Sequence, residues 1–275
     1  MKSSVLSVCS LTVSLAGCAG TPGPTLAPVP EARFTYHTTQ ACVAPGSVPV
    51  TIAIVSPQFK DVPSAMLADQ SETSQLLFHT FPTAMRSEFI AALSCRGFAT
   101  KGPFSTYDEM VFPDRQGADL ILSPEIELRY GLSDVTAHSA ESGLLGVLGA
   151  VSNTAPSSYK VDGKVMVGGR FTMSLRESLT NTRMWTKTVE LDPSTAPFTG
   201  EGVYSAASMQ AGGPNGLRAT AYNDPGARRV LTPMMEQYYT KILSTAEKYM
   251  DANDLQLVKR QSIAVRKNAQ ATISK

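Results

Sequence analysis

The sequence predicts one α/β domain of the α+β kind over residues 48–253, with a mixed, mostly antiparallel sheet of about five strands and two main helices packed on it. Two kinds of pattern indicate this fold. Apolar and polar side chains alternate along residues 119–130 and 164–175, as they do in strands with one buried face. Apolar residues recur at helical spacing along residues 75–96, and again after Pro225.

The first half of this domain follows a strand, helix, strand pattern. Residues 48–55 are apolar on both faces, which is typical of a central strand that is covered on both sides. Residues 75–96 form the first main helix, and Gly97 provides its stop signal. The apolar residues of this helix are Phe81, Met85, Phe89, Ala92 and Leu93. Residues 98–104 then predict a short strand, and residues 106–115 predict a short helix.

The second half begins with strands that have one buried face. Residues 119–130 form the first of them. Residues 164–175 form an antiparallel hairpin with residues 183–191, through a turn at Asn181. Residues 194–216 are rich in Gly, Ser, Pro and Ala, and this composition predicts a long loop.

The second main helix begins with a clear start signal. Asp224 is a good N-cap, and Pro225 suits the first helical turn. The apolar stripe that faces the core contains Val230, Leu231, Met234, Met235, Tyr238, Ile242 and Ala246. Residues 254–275 form a basic C-terminal tail, which we predict to be a frayed helix or a disordered segment.

Residues 1–17 are typical of a lipoprotein signal peptide. Lys2 is basic, and residues 5–15 are weakly apolar but too few to span a membrane. The stretch Leu15-Ala16-Gly17-Cys18 resembles the bacterial lipobox, in which the cysteine thiol takes a diacylglycerol and the leader is cut off before it. Acyl chains such as palmitate on Cys18 would anchor the protein stably. Ala19, in place of an aspartate, favours the outer membrane. The alternative is an ordinary secretory leader with an incidental cysteine.

Residues 18–47 combine the lipidated cysteine with a proline-rich tether. The prolines and small residues of 21–30 cannot bury a core, and they favour an extended chain. We therefore expect this segment to hold the domain off the lipid surface.

Cys42 and Cys95 are the cysteines that remain after processing. The helix over residues 75–96 must run back antiparallel to the strand over 48–55, which brings Cys95 near Cys42. The envelope is oxidising and allows a disulfide there. A bridge that closes a loop of about 53 residues would contribute roughly 4 kcal/mol through loop entropy. The alternative is a pair of buried free thiols.

The charge balance argues against a nucleic-acid partner. The chain has 24 Lys and Arg residues against 23 Asp and Glu residues, and removal of Lys2 with the leader makes the two equal. Domains that bind nucleic acid normally carry a basic excess. We therefore predict that this protein does not bind nucleic acid.

The sequence predicts neither catalysis nor a cofactor. It has no nucleophile elbow, phosphate-binding loop or zinc-protease motif. His37, His79 and His138 have no second ligand at metal spacing. Glu125 and Glu127 share one strand face, where carboxylates are usually solvated or paired with Lys or Arg, and the alternative is an acid–base pair.

Several stretches, together with the lipobox, point to a known family. They are residues 51–59 (Thr-Ile-Ala-Ile-Val-Ser-Pro-Gln-Phe), 91–98 (Ala-Ala-Leu-Ser-Cys-Arg-Gly-Phe), 117–128 (Gly-Ala-Asp-Leu-Ile-Leu-Ser-Pro-Glu-Ile-Glu-Leu) and 165–179 with its hairpin partner. An amphipathic helix with a basic tail follows them. In element order and hydrophobic pattern, over about residues 48–267, the sequence resembles the neuraminyllactose-binding haemagglutinin lipoproteins, also called flagellar sheath adhesins.

This resemblance implies an adhesin-like lipoprotein of the outer membrane or flagellar sheath that binds sialylated glycans. In the family, a hexapeptide rich in Lys and Arg follows the strand that matches Glu-Ile-Glu-Leu. The matching residues here, 130–138, have Arg129 at their edge and no basic cluster, so the resemblance assigns no sugar-binding residue. The alternative function is that of a periplasm-facing accessory lipoprotein of a lipid-transport or envelope complex.

Residues 143–151, Gly-Leu-Leu-Gly-Val-Leu-Gly-Ala-Val, form an apolar connection between two strands. One hypothesis is a buried plug over the sheet. The other is an exposed loop that touches lipid or a protein partner through Leu144, Leu145, Val147 and Leu148. The predicted partners are therefore the membrane, through Cys18, and either a sialylated glycan or an envelope protein.

Overall fold

A computed structural model describes residues 28–29, 31–38, 41–62, 64–140, 158–205 and 216–273. The strands in these residues are β1 Thr51–Val55, β2 Gln58–Phe59, β3 Ala99–Phe104, β4 Leu120–Ser139, β5 Ser158–Glu177, β6 Arg183–Phe198 and β7 Tyr204–Ser205. The helices are α1 Ser64–Leu67, α2 Glu72–Gln75, α3 Phe81–Cys95, α4 Phe112–Gln116, α5 Gly216–Tyr222, α6 Pro225–Tyr249 and α7 Ala252–Ile273. A π-helical turn, Leu76–Thr80, joins α2 to α3.

The strands of the described residues form one mixed sheet in the order β3-β1-β4-β5-β6. β1 is parallel to β3 and β4, whereas β4, β5 and β6 are antiparallel to one another. The short β2 pairs with β4 in parallel, and the short β7 pairs with β5 in antiparallel orientation. The predicted α+β fold, with a mostly antiparallel sheet of five main strands, is confirmed.

β1 is the central strand that the sequence predicts, because both of its faces are covered. Ile52 and Ile54 lie in the main core beneath α3 and α6. Ala53 and Val55 lie on the opposite face in a smaller cluster with Ile121. A strand with apolar residues on both faces is stable only where both are removed from water.

α6 packs across β5 and β6, and it begins as the sequence predicts. The Asp224 side chain accepts a hydrogen bond from Gly226 N at 2.7 Å, which caps the helix. Six residues of the predicted stripe are buried, namely Leu231, Met234, Met235, Tyr238, Ile242 and Ala246. Val230 is only partly buried at the edge of the core.

β6 is longer than the sequence predicts, so the loop expected over residues 194–216 begins as strand. Val167 pairs with Ser194 and Gly169 pairs with Leu191, so β6 places two residues, Asp192 and Pro193, opposite Gly168. This bulge adds one residue and reverses the inside–outside alternation. For that reason the pattern of inward apolar residues breaks at 192 although the strand continues to Phe198.

The predicted basic tail is a docked helix, and the expectation of a frayed or disordered segment was wrong for the part that the structure describes. Leu255, Val258 and Ser262 of α7 are buried against the domain. Arg266 of the same helix forms an ion pair with the buried Glu177. Helical spacing of these residues, together with a carboxylate that needs a cation, fixes the helix in place.

Residues 31–38, which the sequence places in the tether, are packed on the domain as an N-terminal strap. The Phe34 ring lies 5.4 Å from that of Phe81 on α3 and 5.3 Å from that of Tyr239 on α6. The hydroxyls of Tyr36 and Thr38 donate hydrogen bonds to the carboxylate of Glu247. The strap therefore belongs to the folded domain.

A disulfide joins Cys42 to Cys95, with a Cα–Cα distance of 4.4 Å. Val43 N donates a hydrogen bond to Cys95 O at 2.8 Å, so the backbones also pair at this point. The bridge connects the segment that follows the strap to the C-terminal end of α3. Within the described residues, no helix combines the length and apolar character that crossing a membrane requires.

Candidate binding groove

The two faces of the sheet differ in their cover. α3 and α6 bury the face that carries Leu122, Phe171 and Leu191. The other face is covered at its β1 end, where Met110 packs against Ile121. Over β4, β5 and β6 that second face carries exposed side chains within the described residues, and this is where a groove forms.

The groove has a volume of about 510 Å³ and lies at the bulge of β6. It is lined by residues of three strands: Glu127, Arg129, Tyr130 and Gly131 from β4; Met166, Val167, Gly168, Gly169 and Arg170 from β5; and Glu190, Leu191, Asp192, Pro193 and Thr195 from β6. The register places Arg129 opposite Gly168 and Gly131 opposite Met166. Since Gly131 and Gly168 have no side chains, they leave a depression between the flanking side chains.

Close approach of the β4 backbone requires a glycine at position 169 of β5. Gly169 has a φ of +142°, and a Cβ atom there would lie 1.9 Å from Glu127 O. Gly168 faces the bulge, where a Cβ atom would lie 3.2 Å from Pro193 Cα. Only glycine fits at 169, because β4 passes too close to leave room for a side chain there.

Tyr238 of α6 holds the bulge from the core side. Its hydroxyl lies 2.7 Å from Val167 O and 2.6 Å from Asp192 O, two carbonyls that the bulge removes from the regular ladder. Burial raises the pKa of Tyr238, so the hydroxyl remains a hydrogen-bond donor. The groove is therefore preformed by the packing of a helix beneath it.

Charged side chains surround the groove, and most of them are paired. Arg170 Nε lies 2.5 Å from Glu127 Oε2, and this hydrogen bond raises the pKa of Arg170. Lys241 Nζ lies 2.7 Å from Asp192 Oδ2 and lowers the pKa of that carboxyl. Among the described residues, Arg129 and Glu190 have no ion-pair partner. The groove therefore offers one guanidinium and one carboxylate to a ligand.

The two carboxylates that the sequence offers as an acid–base pair each contact a cation. Glu127 is held by Arg170, and Glu125 Oε2 lies 2.8 Å from Lys60 Nζ. Both carboxylates of the alternative acid–base pair are thus engaged with cations. The described residues contain no group of three His, Cys, Asp or Glu side chains that could hold a metal ion.

The structure describes only some of the residues that the sequence predicts to be functional. Cys18, and the loop residues Leu144, Leu145, Val147 and Leu148, lie outside the described residues. Cys42 and Cys95 are brought together by the disulfide. The groove itself was not predicted. Its signals in the sequence are the consecutive Gly168 and Gly169 inside an alternating strand, and Asp192 before Pro193 in the partner strand.

Residues 130–138, the counterpart of the haemagglutinin hexapeptide, lie along β4. This stretch lacks Lys and Arg, but β5 supplies them from the neighbouring strand. Lys164 is opposite Ser133, and Lys160 is opposite His138. Lys164 Nζ lies 2.8 Å from Asp134 Oδ2, so this lysine is already paired.

Comparison with known proteins supports the fold. A structure described as a neuraminyllactose-binding hemagglutinin homolog from Helicobacter pylori is similar, with a TM-score of 0.50 and 13% sequence identity over 83% of this chain and 98% of that chain. A lipoprotein from Neisseria meningitidis matches with 13% identity over 64% of this chain and 96% of that chain, with a TM-score of only 0.26. No protein-family model and no curated protein matches the sequence. The chain therefore shares the fold of the hemagglutinin homolog.

Proposed function

We propose that this protein is a lipid-anchored binding protein of the cell envelope, related to the neuraminyllactose-binding haemagglutinins, and that it binds its ligand in the groove over β4, β5 and β6. It acts by binding and not by catalysis. The observation that carries the proposal is the guanidinium of Arg129, which has no ion-pair partner in the part of the chain that the structure describes and lies beside a groove of about 510 Å³ with a glycine floor.

The groove has the chemistry of a site for an acidic sugar. A guanidinium binds a carboxylate with two parallel hydrogen bonds, and such charge-assisted bonds are stronger than neutral ones. Met166 and Pro193 provide apolar contacts on which the face of a sugar ring can rest. Glu190 can accept hydrogen bonds from sugar hydroxyls. Because Arg129 is exposed, we expect weak affinity for a single glycan.

An anchor at Cys18 is compatible with the position of the strap. Pro28, ahead of the strap, lies at the N-terminal end of α6, where its O is 3.5 Å from Arg229 Nη1. The strap ends towards the C-terminal end of α6, where Thr38 contacts Glu247. Pro28 lies ten positions after Cys18, and a fully extended chain spans at most about 33 Å over that separation. We place the anchor in the outer membrane because Ala19 follows Cys18.

Protease treatment of intact cells tests the location. Digestion of the domain, with a periplasmic control protein left intact, would support a surface adhesin. Protection of the domain would contradict surface exposure and favour the alternative, a periplasm-facing accessory lipoprotein of a lipid-transport or envelope complex.

Titration with sialyllactose and with lactose tests the ligand, using NMR shifts of the purified protein. We expect shifts at the groove with sialyllactose only, and their loss in Arg129→Ala. Arg183→Ala is the matched control, because Arg183 is an exposed arginine of β6 that does not line the groove. Equal shifts with both sugars, or binding that survives Arg129→Ala, would contradict the carboxylate-reading role.

A further inference from the structure

Two large apolar side chains stand exposed where α4 begins. Val111 is 60% exposed and Phe112 is 65% exposed. Single exposed apolar residues are common, but aromatic side chains such as Phe are enriched at protein interfaces relative to the rest of the surface. Asp108, Glu109 and Asp114 flank the pair, and none of them has an ion-pair partner among the described residues. We call these five residues the acidic knob.

The acidic knob is held rigidly by the segment around it. Met110, between its members, is buried. The Arg115 guanidinium lies 4.1 Å from the centre of the Tyr107 ring, and its Nη2 donates a hydrogen bond to Tyr107 O at 3.1 Å. A preorganised protrusion loses little conformational entropy when it binds. The contacts of Met110 and Arg115 thus hold the backbone on both sides of Val111 and Phe112.

α7 presents a surface of opposite charge. Leu257 is 53% exposed and Ile263 is 41% exposed on the side of α7 that faces away from the domain. At 100° per residue, Arg260 and Lys267 fall between these two residues on the helix surface. Both are exposed, and neither has an ion-pair partner among the described residues. We call these four residues the basic face.

The remaining cations of α7 are already engaged. Lys259 Nζ lies 2.9 Å from Asp119 Oδ2, and Arg266 Nη2 lies 2.6 Å from Glu177 Oε1. These pairs, with buried Leu255 and Val258, hold the opposite side of the helix on the domain. The basic face is therefore the side of α7 that is accessible to another molecule.

We propose that the acidic knob of one copy docks on the basic face of a second copy. Each surface combines two exposed apolar side chains with charges that have no ion-pair partner within the described ranges, and the charges of the two surfaces have opposite sign. Complementary charge selects the partner and the orientation, while the apolar centre supplies affinity. The contact joins different patches of the two copies, so its repetition builds a closed ring or an open array.

The location of both patches fits side-by-side association. Tyr107, next to the knob, donates a hydrogen bond to Leu179 O at 3.1 Å, and Arg266 of α7 donates one to Ser178 Oγ at 2.9 Å. Both patches therefore lie near the β5–β6 turn. The groove lies farther along the strands, at Gly168 and Gly169, and its lining shares no residue with either patch.

Photo-crosslinking of the full-length protein in its own envelope tests the contact. The photoreactive p-benzoylphenylalanine replaces Phe112 in one strain and the 62% exposed Val203 in a control strain. We expect a dimer cross-link from position 112 only, with mass spectrometry mapping its second end to α7. No dimer from position 112, a second end outside α7, or an equal dimer from position 203 would overturn the proposal.

Charge-reversal variants distinguish this contact from non-specific association. Glu109→Lys with Asp114→Lys should reduce the cross-link several-fold, and so should Arg260→Glu with Lys267→Glu. All four changes in one chain should restore it, because each copy then carries both reversed surfaces. Glu109, Arg260 and Lys267 are exposed and Asp114 is partly buried, so circular dichroism checks that each variant is folded. Failure of the fourfold variant to recover, in a folded protein, would contradict charge pairing between the patches.

Discussion

The guanidinium of Arg266 in α7 lies 2.6 Å from the carboxylate of Glu177, which is fully buried at the turn between β5 and β6. The other carboxylate oxygen accepts hydrogen bonds from Leu179 N at 3.0 Å and Thr180 N at 2.5 Å. The turn between β5 and β6 thus provides donors to one oxygen of Glu177, and the C-terminal helix provides the cation for the other.

Arg266→Ala should destabilise the protein. Removing one partner of a buried ion pair costs about 3–5 kcal/mol, and the backbone donors that remain on Glu177 put the expected loss near the lower value, about 3 kcal/mol. Urea unfolding measures it. Arg260→Ala, on the exposed side of the same helix, should stay within about 0.5 kcal/mol of the wild type. A loss below about 1 kcal/mol for Arg266→Ala would show that Glu177 is neutral or relaxes towards water.

The same carboxylate should make stability depend on pH. Burial by itself would raise the pKa of Glu177, but the hydrogen bonds from Thr180 and Arg266 hold it below its usual value. The ionised form is thus favoured by folding. Its contribution is complete above the ordinary glutamate pKa of about 4.3 and is lost as the pH falls through the lower folded value.

We therefore expect the free energy of unfolding to decrease below about pH 4.3, and to decrease less in Glu177→Gln. Urea midpoints at a series of pH values from 7 downwards provide the measurement. An identical acid decline in the wild type and in Glu177→Gln would assign the effect to other carboxyls, such as that of Glu247.

Gly169→Ala should damage both the fold and the groove. The added Cβ would lie 1.9 Å from Glu127 O, and the φ of +142° is unfavourable for alanine. The backbone conformation alone costs about 1–3 kcal/mol, and relief of the clash must also displace β4. Gly131→Ala is the matched control, because its Cβ would meet only Met166 Cε at 3.6 Å. Thermal unfolding of both variants tests this, and equal stability would refute the steric argument.

Removal of the disulfide should lower stability without removing the fold. The bridge joins residues 53 positions apart. For a loop of that length the chain-entropy estimate is about 4 kcal/mol. Denaturant unfolding of Cys42→Ser with Cys95→Ser should show a loss of that order, and a reductant should lower the stability of the wild type but not of the double variant. Insensitivity of the wild type to reductant would mean that the thiols are free.

The regular parts of the fold could be predicted because their side-chain periodicity is local. The two-sided apolar strand β1, the cap at Asp224 and the β5–β6 hairpin each follow from a few neighbouring residues. The end of β6 could not be found in this way. Its bulge at Asp192 and Pro193 reverses the alternation, and only the register with β5 shows that the strand continues.

The strap, α7 and the groove depend on contacts between distant parts of the sequence. In the sequence, Phe34 belongs to the predicted proline-rich tether. Only the structure shows that its ring contacts Phe81 and Tyr239. In the sequence, Arg266 is one charge of the predicted basic tail. Only the structure shows that it pairs with the buried Glu177. Arg129 and Met166 line one groove because the register of β4 and β5 places Gly168 opposite Arg129 and Gly131 opposite Met166.

The strap also determines how the domain responds to force. A pull on the chain before Pro28, directed along α6, loads Arg33, Phe34 and Tyr36 together in shear, since the strap lies parallel to the helix. Contacts loaded in this way share the load, whereas contacts that are peeled break one after another. Once they yield, the tension passes to Cys42, where a covalent bond to Cys95 stops further extension and transfers the load to α3.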